Sequence, residues 1–156
     1  MRTVFKIGAY PKKVTLNSGQ QVTIRPLQVG DASDLREFFR GIPAGDRFFL
    51  GDDVMDPAVI DRWTSHVDYF RALPLVAISD GKIAADGVLL RGHGAARAHT
   101  AEIRLSVAPR LRGTELAGLL LEELCRIARD AGLDLVYLEV MPDRDEELVR
   151  AARRLG

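Results

Sequence analysis

The chain has 156 residues, and its 22 Lys plus Arg exactly offset 22 Asp plus Glu, giving a formal net charge of zero. Such a balance excludes a protein built mainly on a basic nucleic-acid surface, and an aromatic content of 6% leaves little for a base-stacking platform. The lone cysteine, Cys125, excludes an intramolecular disulfide, and no Cys/His spacing suits a metal. Met1 to Tyr10 contains no apolar signal core, and no apolar run is long enough to cross a bilayer. A single cytoplasmic domain over residues 1–156 is expected, with neither nucleic acid nor membrane as partner.

Lys12 to Leu16 and Gln21 to Pro26 are rich in β-branched residues and flank Asn17-Ser18-Gly19-Gln20, so they predict a hairpin. Asp31 to Ile42 places Leu35, Phe38, Phe39 and Ile42 at helical spacing, with Asp31 or Ser33 as the cap. Pro43 and Gly45 break that pattern. A second helix is predicted over Pro57 to Phe70, capped by Asp56, with Val59, Ile60, Trp63, Val67 and Phe70 on one face. Strands follow at Leu73 to Ser79 and Lys82 to Leu90, joined by the turn dipeptide Asp80-Gly81. From Ala98 to Val107 apolar and polar residues alternate, and Pro109 ends the strand. Thr114 to Ala131 carries the longest apolar helical stripe, and Gly132 stands at its C-terminal cap position. Leu133 to Val140 reads as a strand and Asp143 to Leu155 as a last helix. The order predicts an α/β (α+β) domain with a mixed sheet.

The segment Val107-Ala108-Pro109-Arg110-Leu111-Arg112-Gly113-Thr114-Glu115-Leu116-Ala117 joins a strand end to a long helix through a basic turn. Free N–H groups and the dipole at a helix N-terminus attract phosphate oxygens. Arg110 and Arg112 add positive charge. By itself the pattern fits either an anion site or an ordinary turn with two solvated arginines.

The same segment is similar to the acetyl-CoA motif of GNAT N-acetyltransferases, Arg/Gln-x-x-Gly-x-Gly/Ala after Val-x-Pro. Arg112 matches its first position, Ala117 its last, and Val107 and Pro109 the preceding strand end. The resemblance extends over the element order from about Val22 to Gly156. It implies a three-layer α/β/α fold with a mostly antiparallel sheet, and acetyl-CoA as co-substrate. It further implies that the backbone of Arg112, Gly113, Thr114, Glu115, Leu116 and Ala117 holds the pyrophosphate. Leu105, Ser106 and Val107 would pair with the pantetheine arm, in a slot where Leu133 to Val140 splays from Ala98 to Val107. The acceptor would be a primary amine, on a protein lysine or a small molecule, with Glu102 as the base. Arg47, Phe48, Phe49, Asp52 and Asp53 would border the acceptor site.

The chain departs from the family pattern at three places. Glu115 occupies the first glycine position; a carboxylate about 5 Å from a phosphate, at an effective dielectric of about 20, would oppose binding by on the order of 3 kcal/mol. The last helix has no tyrosine to protonate a departing thiolate. The family's two further strands do not follow Leu155-Gly156 in this sequence, so the apolar edge of Leu133 to Val140 is expected to be covered by a second copy of the chain, as a homo-oligomer, the alternative being that the sequence is a piece of a longer protein. Together these departures give an alternative: a non-catalytic GNAT-like module with weakened acetyl-CoA binding.

Overall fold

The computed structural model describes residues 4–47, 53–65, 67–140 and 145–156. Phe48, Phe49, Asp52 and His66 lie outside them, as do Asp143 and Arg144 at the start of the expected last helix. Six strands form one sheet in chain order: β1 Lys12–Thr15, β2 Gln21–Pro26, β3 Ala72–Ser79, β4 Lys82–Arg91, β5 Thr100–Val107 and β6 Leu135–Leu138. Neighbours are antiparallel except β5 and β6, which run parallel. The helices are α1 Ala32–Arg40, α2 Ala44–Arg47, α3 Pro57–Ser65, α4 Leu116–Asp130 and α5 Glu146–Leu155.

Apolar spacing explains the three layers. Leu116, Leu120 and Leu124 of α4 and Leu148 of α5 join Leu73, Leu75 and Leu89 in one core. Leu35 and Phe39 of α1 and Ile60 of α3 join Val76 and Ile83 in another, on the opposite face. The expected α/β/α arrangement is therefore present. Gly87 lets α4 sit close to β4: a Cβ there would stand 2.9 Å from Leu124 Cδ1 and 3.0 Å from Leu120 Cδ2.

Local signals set the turns. Asp80 and Gly81 both have positive φ, 53° and 74°, as a two-residue hairpin turn of the primed type demands. At the end of α4, Leu133 N–H donates to Ala128 C=O and Gly132 N–H to Arg129 C=O, both at 3.0 Å. This is a Schellman cap with Gly132 at φ 80°.

Two expectations are corrected. Asp31 does not cap α1 with its side chain. Its carboxylate instead takes both guanidinium nitrogens of Arg25, at 2.7 and 2.8 Å, and Gln28 N–H at 2.7 Å. Burial raises its pKa, but these bonds outweigh burial and hold it below the usual carboxylate value. The second helix, α3, starts as expected, with Ala58 N–H on Asp56 Oδ1 at 3.0 Å, but stops at Ser65 instead of Phe70. Ser65 and Thr64 turn their hydroxyls back onto the Asp61 and Ile60 carbonyls. Asp68 then makes a turn of its own, accepting Phe70 N–H at 3.0 Å. Phe70 stacks on Arg91, whose guanidinium lies 4.6 Å from its ring and 4.8 Å from that of Phe5.

Candidate active site

β5 positions the site. Its pairing with β6 runs only from Thr100↔Leu135 to Ile103↔Leu138. Beyond Ile103, β5 continues to Val107 with no partner strand on that side among the described residues, so the pairing with β6 ends there, as the splay implied by the resemblance requires. A cavity of about 680 Å³ opens at this divergence. Glu102 and Leu105 to Val107 form one wall, Arg112 to Thr114 and Ala117 the end, and the start of α5 with Glu139 and Val140 the other wall.

The end wall is an amide cradle. Pro109–Leu111 makes one 3-10 turn, and Gly113 then takes φ 82°, a left-handed conformation that favours glycine. Thr114 Oγ1 donates to Leu111 C=O at 2.6 Å and accepts Leu116 N–H at 3.3 Å. Leu119 N–H reaches Glu115 C=O at 3.0 Å, the first helical bond of α4. Among the described residues, the N–H groups of Gly113, Glu115, Ala117 and Gly118 find no partner. Four free donors at the head of a 15-residue helix fit a phosphate oxygen set.

Glu115 has φ −74°, which any residue adopts. The glycine that the loop geometry requires is Gly113, two positions earlier. The Glu115 carboxylate leans away to the β1–β2 turn, where Asn17 N–H donates to its Oε2 at 2.9 Å. Neither the Glu115 nor the Leu116 side chain lines the cavity; Leu116 is fully buried in the core.

Glu102 is at the opposite end of the β5 wall. It sits beside Leu90 of β4 and Tyr137 of β6 in register, and its Oε1 accepts Arg104 Nε at 3.3 Å. It is partly exposed to the cavity. Ser106 carries the only hydroxyl on β5 between Glu102 and Val107.

The structure adds residues that the motif did not indicate. Asp46 of α2 binds Arg112, with Oδ2 2.7 Å from Nη2, so the loop arginine is tied across the cavity mouth. Glu147 of α5 lies against the first turn of α4, its Oε1 2.7 Å from where a Cβ on Gly118 would stand. Asp53 is exposed, and its Oδ1 accepts Met55 N–H at 3.1 Å, a local turn bond.

The six-stranded sheet, the end of β5–β6 pairing at Ile103 and the free amides at the head of α4 agree with what the GNAT resemblance implies. The acetyltransferase (GNAT) family model matches residues 37–156, and the chain belongs to that family of N-acetyltransferases. No curated protein sequence matches the chain significantly. Among solved structures it is similar to the GNAT domain of S. lividans PAT, with TM-score 0.81 and 24% identity over 97% of this chain and 89% of that one. It is also similar to Mycobacterium smegmatis RimJ in complex with CoA-disulfide, with TM-score 0.67 and 19% identity over 95% and 76% of the two chains. Glucosamine-6-phosphate N-acetyltransferase from Arabidopsis thaliana gives TM-score 0.65 and 20% identity over 84% and 90%.

Proposed function

We propose that this chain transfers an acetyl group from acetyl-CoA to a primary amine, on a protein lysine or a small molecule. The observation that carries this reading is the run of free amides at the head of α4, of which Gly113 and Ala117 line the same cavity as Glu102. The amides and Arg112 would hold the pyrophosphate. The edge of β5 from Leu105 to Val107 would hold the pantetheine arm. Its N–H groups are candidates to polarise the thioester carbonyl as charge develops on oxygen. Glu102 would take the proton from the acceptor ammonium, leaving the nitrogen lone pair free to attack. Acidic side chains around the cavity, Glu102, Glu139 and Glu147 among them, suit a cationic acceptor.

The Asp46–Arg112 pair favours a second reading, a GNAT-like module that binds the coenzyme weakly and does not turn over. Calorimetric titration with acetyl-CoA, followed by thiol release with Nα-blocked lysine, a lysine-rich peptide, a linear polyamine and an amino sugar, separates the two. Saturable binding with thiol release from one amine supports the enzyme. Binding without release from any of them supports the module, and no binding sinks both.

A further inference from the structure

A second group of charges stands beside the head of α4, outside the loop that carries the motif. α5 packs onto α4 at Gly118, where a Cβ would stand 3.3 Å from Ala151 Cβ, 2.7 Å from Glu147 Oε1 and 3.6 Å from Arg154 Nη2. The bare glycine leaves room for an ion pair laid against the first turn of α4. Glu147 is the centre of that group. Its Oε2 accepts Arg150 Nη2 at 3.3 Å, and its Oε1 lies 3.6 Å from Arg154 Nη2. Glu147, Arg150 and Arg154 are one and two turns apart on α5, so their side chains share one face of it.

These arginines are the cations near the cradle that a ligand can recruit most easily. Arg104, Arg112 and Arg150 line the cavity. Arg104 is held by Glu102 of its own strand, and Arg112 by Asp46 at 2.7 Å across the mouth. Arg150 pairs within α5, with Glu147 and, at 3.7 Å, with the 74% exposed Glu146. The side chains of Arg150 and Arg154 are each 57% exposed and share the Glu147 carboxylate. Exposed ion pairs within one helix are weak. A dianionic phosphate ester at this spot can therefore take both guanidinium forks without disturbing the core. The other charges described beside the cradle, Glu115 and Asp46, are acidic and would repel it.

We propose that Arg150 and Arg154 bind the ribose 3′-phosphate of the coenzyme and make this chain selective for the 3′-phosphorylated nucleotide. The inference rests on the acetyl-CoA reading, in which the pyrophosphate sits on the α4 amides. One ribose ring separates the 3′-phosphate from the pyrophosphate, so whatever receives it must lie close to the cradle. Gly118 N–H is one of the cradle donors, and the Glu147–Arg154 pair lies against that same residue. Arg150 extends the group into the cavity wall. On binding, the two arginines pass from Glu147 to the phosphate, with no covalent bond made or broken.

The test is calorimetric titration of the whole chain with acetyl-CoA and with acetyl-dephospho-CoA, which lacks only the 3′-phosphate. The wild type should bind acetyl-CoA about tenfold more tightly at low salt, and high salt should shrink that ratio. The double variant Arg150→Ala with Arg154→Ala should lose the tenfold advantage of acetyl-CoA while binding the dephospho analogue within twofold of wild type. Arg153→Ala removes a neighbouring exposed charge and should keep the ratio, which separates a site from long-range attraction. A wild-type ratio within twofold overturns the proposal. So does a double variant that weakens both ligands equally, or an Arg153→Ala variant that collapses the ratio as far as the double variant does. The comparison of the two ligands on the wild type keeps the test open if the double variant does not fold. Failure of both ligands to bind the wild type instead overturns the coenzyme reading, and the proposal falls with it.

Discussion

Replacing Asp46 by asparagine is expected to tighten acetyl-CoA binding. Asp46 Oδ2 stands 2.7 Å from Arg112 Nη2, at the lip of the cradle that would take the pyrophosphate. A phosphate must compete with that carboxylate for the same guanidinium. Two unit charges about 4 Å apart attract by about 4 kcal/mol at an effective dielectric of 20 and about 1 kcal/mol in water. The Arg112 side chain is 38% exposed and that of Asp46 16%, which places the pair nearer the lower figure. About 1 kcal/mol returned to the ligand is about a fivefold fall in Kd. Asparagine keeps the size of the side chain and removes the charge. Calorimetric titration at low and at high salt reads the effect, and screening should shrink the difference at high salt. An unchanged Kd at low salt would refute the competition, and weaker binding would mean that the pair holds the cradle in shape.

Four further outcomes follow from the geometry. Glu102→Gln should cut turnover by 100-fold or more while leaving the acetyl-CoA Kd unchanged, as measured by thiol release and titration. Gly113→Ala forces a side chain into φ 82° and should cost about 1–2 kcal/mol locally, seen as weaker acetyl-CoA binding with only a small fall in Tm. Glu115→Gln removes charge but keeps an acceptor for Asn17; because the carboxylate leans to the hairpin, affinity should rise less than tenfold, and a hundredfold rise would put that charge against the phosphates. Asp86 holds its proton in the folded chain up to about pH 7 but loses it near 4 when unfolded. The unfolded state therefore binds fewer protons across that window, and stability falls as pH rises from 4 to 7, by up to about 4 kcal/mol. In chemical denaturation Asp86→Asn should gain on the wild type over that range and level off above it; a constant difference would contradict the buried neutral acid.

Much of the scaffold can be read from local chemistry. Asp80-Gly81 names its own turn, the alternation along β5 names its buried face, and Gly132 stops α4. The anion cradle is legible too, because a helix head after a basic turn needs nothing beyond nearby residues. What escaped is tertiary. Asp46 meets Arg112 across 66 positions and Asn17 meets Glu115 across 98, and no spacing rule links either pair. Glu115 looked like the lost glycine of the loop because motif position stood in for backbone angle, whereas the positive φ belongs to Gly113. α3 kept its apolar period past Ser65, but hydroxyls on the last-turn carbonyls and the Asp68 turn outcompeted it. Asp86 passed as one polar residue in an apolar strand, since only the fold shows that it is 4% exposed.

The acetyl transfer itself is tested most directly by incubating the chain with isotopically labelled acetyl-CoA and the amine panel, then following the label by mass spectrometry. The account predicts label on one amine class at a rate that the chain accelerates and that Glu102→Gln abolishes. Label that stays on the coenzyme with every amine, or transfer that Glu102→Gln leaves untouched, would contradict it.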